Sequence, residues 1–161
     1  MKSAYDRTMF RNLLSRLFTD DPSPAPLTAP DAEVAIAALL VRVARADDHY
    51  ELVERQRIDR VLARRRGLTA DEAAERRAAA EMIEAEAPDT VRFTRLIKDR
   101  IALEDRSTVI AAMWEIAYAD QNRDMDEETM IRLVAGLLGV PDRESALIRR
   151  KVLEDLGLPD D

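Results

Sequence analysis

The sequence predicts an all-α protein. The expected architecture is a compact bundle of about seven helices with two pseudo-symmetric helix-turn-helix halves, preceded by a short N-terminal amphipathic helix. Three observations lead there. Of the 161 residues, 35% are charged and only 4% aromatic, with alanine, leucine, arginine and glutamate abundant, a composition that favours helix. Apolar residues recur at intervals of three and four along most of the chain. A pattern in the first half also returns in the second: Ala44-Arg45-Ala46-Asp47 leads to Glu54 and Ile58, and Ala117-Tyr118-Ala119-Asp120 leads to Glu127 and Ile131. Recurrence at this level reads as an internal repeat.

Taken in order, Arg7 to Phe18 sets Phe10, Leu13, Leu14, Leu17 and Phe18 at helical spacing among Arg7, Arg11 and Arg16. This amphipathic helix either docks on its own domain or touches a membrane surface. Asp20 to Pro30 holds four prolines in nine residues and reads as an extended linker. Residues 1–30 therefore form a helix and tether, and residues 31–161 the helical domain. Its first helix is expected from about Ala32 to Ala46, with Ile36, Leu39, Leu40 and Val43 on one face. The second runs from about Val53 to Arg66 and stops at Gly67. Thr69 or Asp71 caps a third, alanine-rich helix that ends before Pro88. Asp89 or Thr90 opens a fourth bearing Val91, Phe93, Leu96 and Ile97. A fifth is expected from about Glu104 to Ala119, and a sixth from about Asp126 to Leu138, stopped by Gly139. Pro141 and Asp142 open a seventh, which ends at Leu156 before Gly157. The exits of the two repeats also agree, Arg66-Gly67-Leu68-Thr69 against Leu138-Gly139-Val140-Pro141.

Bulk properties narrow the function. A chain of this length is large enough to bury about two thirds of its unfolded surface without staples. It has no cysteine, which removes disulfides and thiolate metal sites. The net charge of −7 argues against a nucleic-acid partner. The longest clean apolar run, Val34 to Val41, is far short of the ~20 residues that cross a bilayer. The N-terminus lacks the uninterrupted apolar region of a signal peptide, so the expected location is cytoplasmic, with peripheral membrane contact through the N-terminal helix as the alternative.

The repeated acids are the unusual feature. Ile36, Leu40, Val43 and Asp47 share one helical face, as do Val109, Met113, Ile116 and Asp120. Glu54 and Glu127 stand in first turns, where the helix dipole welcomes a negative charge. Asp47 and Asp120 stand in last turns, where the dipole costs roughly 0.3–1 kcal/mol. Each therefore wants a cation, an arginine or a metal ion, and free carbonyls at the same helix end are oxygen ligands too. Asp120, Asn122 and Asp124 imitate the opening of an EF-hand loop, but Met125 replaces its glycine and Ile131 its final glutamate, so a loop of that kind is ruled out.

Met113-Trp114-Glu115-Ile116-Ala117-Tyr118-Ala119-Asp120, then Glu127-Glu128 and Ile131, then Leu137-Leu138-Gly139-Val140-Pro141-Asp142, resembles the second half of a TerB-like domain, the family named for tellurite-resistance proteins. Val43-Ala44-Arg45-Ala46-Asp47 with Glu54, Arg57 and Ile58 resembles its earlier repeat. Met9-Phe10-Arg11-Asn12-Leu13-Leu14 is similar to the start of bacterial members, which makes the residues before Met9 an extension or a start-site artefact. The resemblance covers roughly Met9 to Leu156. It implies an all-helical fold with pseudo-symmetric halves, an acidic patch for divalent cations, roles near membranes or in stress-response assemblies, and no established catalysis. Carried over by position, the metal-ligating candidates are Asp47, Glu54, Asp120 and Glu127. The chain departs from the pattern at Asp48 and Gln121, where members carry glycine, and at Arg123, where they carry an apolar residue.

Three states of the four acids stay open: a calcium or magnesium site, an arginine-paired network, and solvated rim charges. His49 reads as an exposed turn residue, which disfavours zinc. Trp114 reads as core, with a partner-binding hot spot as the alternative. The arginines of the second helix read as a salt-bridged surface, with an acidic partner or anionic lipid as the alternative. With one histidine, no cysteine and no glycine-rich phosphate loop, catalysis has few candidates. The expected function is therefore a non-enzymatic, cation-binding interaction module with a protein partner. A metal-free structural adaptor is the rival, and a metal-dependent hydrolase comes third.

Overall fold

Every residue from Val34 to Val41 is withdrawn from solvent, on all sides of one helix, and the other helices are arranged around it. The computed structural model describes residue 11 and residues 29–46, 49–87, 89–99, 101–118 and 125–159, with side chains at all of these except 29, 30, 96 and 103. Seven helices longer than a single turn are found among the described residues: α1 (Ala29–Ala44), α2 (Leu52–Arg66), α3 (Ala70–Glu86), α4 (Thr90–Lys98), α5 (Leu103–Tyr118), α6 (Met125–Leu137) and α7 (Asp142–Leu156). No strand occurs among them. Of the expected N-terminal helix only Arg11 is described, and it is helical and exposed.

The central place of α1 departs from the single stripe expected of it. Besides Ile36, Leu39, Leu40 and Val43, the residues Val34, Ala35, Ala37, Ala38 and Val41 are also buried. The helix packs against α2, α3, α4, α5 and α6, most extensively against α3. The cause is the alternation of branched side chains with alanines: the small residues let neighbouring helices approach the sides that a one-face stripe would leave wet. A helix apolar all round is a buried helix. It also starts earlier than expected, at Ala29, with Pro30 in its first turn. Proline is tolerated there because the first N–H groups have no intrahelical acceptor.

The punctuation expected elsewhere is present. Thr69 caps α3 with a full capping box, its hydroxyl accepting from the Glu72 backbone N–H while the Glu72 carboxylate accepts from its own. Asp89 caps α4 by accepting from the backbone N–H of Arg92 at 2.7 Å. Gly67 ends α2 in the left-handed region at φ 63°, which a side chain would resist. The exits of the two hairpins also agree in hydrogen bonding. The backbone N–H of Leu68 reaches back to Ala63 O at 3.1 Å, and that of Val140 to Ala135 O at 2.8 Å. Each is the long bond of a Schellman turn.

Beyond α1, α5 packs on α7 and α6, and α4 on α6. Trp114 is 1% exposed, stacks on Tyr118 at 5.6 Å between ring centroids, and donates from Nε1 to Ser145 Oγ at 3.2 Å. It is a core residue that ties α5 to α7. No helix among the described residues is long and apolar enough to cross a membrane.

Candidate functional site

The two hairpin turns deliver their acids unequally. Asp47 and Asp120, with Asp48 and residues 119–124, lie outside the described residues. The two glutamates are placed where the repeat predicts, each in the first turn of the helix that leaves its turn. Glu54 is half-buried, whereas Glu127 is only 6% exposed. A carboxylate that far from water is retained only with donors or positive charge around it.

Around the first turn, Tyr50 lies between two guanidinium groups, Arg45 at 5.8 Å and Arg55 at 5.1 Å from its ring centre. Burial, followed by the neighbouring Glu81 carboxylate, pushes its phenol well above the ordinary tyrosine value. Both arginines are held by acids of α3. Arg45 pairs with Glu84 at 3.2 Å and Arg55 with Glu81 at 3.7 Å. Arg42 meets the same Glu84 at 2.8 Å and donates to Thr90 Oγ1 at 3.1 Å, which joins α1, α3 and α4. On α2, Asp59 pairs with Arg77 at 2.6 Å, and Arg77 reaches Glu81 at 3.2 Å. His49 is exposed, as expected of a turn residue.

Around the second turn, Glu128 is buried alongside Glu127. It accepts from the Tyr118 hydroxyl, to which Arg149 Nε donates at 2.7 Å. The Arg149 guanidinium lies 5.9 Å from the Trp114 ring centre and 5.5 Å from that of Tyr118. Desolvation first, then the bond to Glu128, raises the Tyr118 phenol. Reading the repeat alone singles out Glu127 and passes over Glu128. The overlooked signal is Tyr118 itself, a polar-tipped aromatic at the edge of an apolar stripe, which needs a partner once buried.

Glu33 was also missed. It sits inside the α1 run at 1% exposure and accepts from Arg66, with Arg65 at 3.9 Å. The basic end of α2 is thus partly structural.

Glu54 and Glu127 offer only oxygen donors, which suit a hard cation such as calcium or magnesium. Among the described residues no group of three or more histidines and acids stands ready for a metal. A site at the turns therefore depends on the aspartates to complete its donor set.

An all-helical bundle in which two helical hairpins each carry a glutamate in the first turn of their second helix defines the class of protein. The chain belongs to the TerB family: residues 33–150 match the family model described as tellurite resistance protein TerB. That span contains the second hairpin, all but the first four residues of the first, and all four repeated acids. No curated protein and no solved structure matches the chain. The chain therefore carries a tellurite-resistance-type helical domain.

Proposed function

We propose that this chain is a non-enzymatic interaction module of a stress response, with a divalent cation held at its hairpin turns. Asp47, Glu54, Asp120 and Glu127 would hold the ion, calcium or magnesium by donor chemistry. When bound, the cation supplies the positive charge that lets carboxylates gather at helix ends. The chain's own part is to preset the glutamates in first turns and to restrain the turns from outside, through Arg45, Arg55 and Tyr50 on one side and Arg149 and Tyr118 on the other. The observation that carries the reading is the matched seating of Glu54 and Glu127, each in the first turn of the helix that leaves its turn. A protein partner would read the surface so fixed.

The rival, a metal-free adaptor with arginine-paired acids, is favoured by this chain's habit elsewhere. Glu33, Glu84, Asp59 and Glu115 all use arginine. Thermal melting of the full chain in chelator, in calcium and in magnesium separates the two. The cation reading expects a higher Tm with one of the ions, lost in Asp47→Asn and in Asp120→Asn. Equal melting with and without chelator gives the decision to the adaptor.

A further inference from the structure

Two surfaces, one on α2 and one on α3, complement each other in charge. The first is a half-open groove of about 330 Å³ between α2, α5 and the end of α7. Val53, Val61, Ile116 and Leu156 supply apolar lining; Arg57, Arg60 and Arg64 stand at one-turn intervals, and Glu115 in the same lining pairs with Arg64, so the groove is positive by three arginines against one glutamate. Val53 and Leu156, on two different helices of the groove, are both exposed. The second is the outer face of α3. Asp71, Glu75, Ala78, Met82, Ala85 and Glu86 are all exposed and follow one another at spacings that keep them on one side. Met82, 58% exposed, is the large apolar residue of that face. Alanines flank it and acids mark both ends.

We infer that α3 of one copy docks into the arginine groove of a second copy, with Met82 entering between Val53, Val61 and Leu156. The acids of α3 would then lie along the arginine row. The chain as a whole is acidic, with net charge −7, so a groove with an excess of arginine is suited to receive an acidic helix. A concave lining with an apolar floor suits an inserted side chain better than a flat lipid surface does. The groove and α3 are different patches, so the contact is heterologous and joins copies head to tail. The inference does not depend on a cation at the turns.

Sedimentation of the full chain in chelator tests it, across a wide concentration range at about 50 mM and about 500 mM salt. Association that grows with concentration and falls with salt is expected. Arg60→Glu disables the groove and Met82→Glu disables the helix, and both positions are exposed, so each variant should fold with an unchanged helical spectrum. Each alone should stay monomeric. Their mixture should form a one-to-one dimer and nothing larger, because only one intact groove and one intact helix remain to meet. Wild-type chain that stays monomeric throughout overturns the proposal, as does a mixture that fails to dimerise. Monomeric wild type that floats with phosphatidylserine vesicles, while Arg60→Glu does not, would assign the groove to a lipid headgroup instead.

Discussion

Glu84→Gln removes one charge from the junction of α1, α3 and α4 while keeping the size of the side chain. In the wild type, Glu84 meets Arg42 at 2.8 Å and Arg45 at 3.2 Å, and the Glu84 and Arg42 side chains are only 11% and 14% exposed. Breaking one half of a fully buried pair costs about 3–5 kcal/mol, because the other charge is left uncompensated. Two features reduce that figure here. Arg42 keeps the Glu84 carbonyl and Thr90 Oγ1, each at 3.1 Å, and the glutamine oxygen still accepts. The Arg45 pair adds little, since that side chain is 49% exposed and solvent screens it. The expected loss is about 2 kcal/mol, which for a chain of this size lowers Tm by about 4–8 °C. Chemical denaturation of wild type, Glu84→Gln, Arg42→Met and the double variant gives the coupling between the two residues. A coupling below about 0.5 kcal/mol would refute the view that this pair, rather than apolar packing alone, fastens the three helices.

Two further outcomes are expected. Trp114→Phe keeps an aromatic ring but loses the pyrrole portion of the indole and leaves buried Ser145 Oγ without its donor, and should cost at least about 1–2 kcal/mol in denaturant unfolding. The raised Tyr118 phenol fixes the sign of an alkaline transition. Its contribution is complete below the unfolded tyrosine value of 10.0 and is lost as pH climbs through the higher folded value. Tm measured across alkaline pH should therefore fall, and should fall less steeply in Tyr118→Phe.

Helix punctuation was legible because its causes are local. Gly67 and Gly157 act within a few residues and stand where expected, and of the caps offered it is Thr69, with Glu72 completing a box, and Asp89 that form. The matching exits after Ala63 and Ala135 are local in the same way. The burial of α1 on every side was not, because small alanines say nothing of what approaches them until five other helices are placed. The acids that fasten the fold were hidden by distance. Glu33 meets Arg66, Glu84 meets Arg42, and Glu128 is tied through Tyr118 to Arg149, and no motif links such positions along the chain. Of the four repeated acids, Glu54 and Glu127 occupy the expected first turns. The aspartates lie outside the described residues.

The position of α1 has a consequence for how the chain is made. It leaves the ribosome before the five described helices that pack on it, and one of those, α6, ends only at Leu137. Through most of synthesis, the stretch from Val34 to Val41 has no finished shelter and stands ready to stick to other nascent chains. That exposure is expected to end only once the sixth helix has emerged and can close over it.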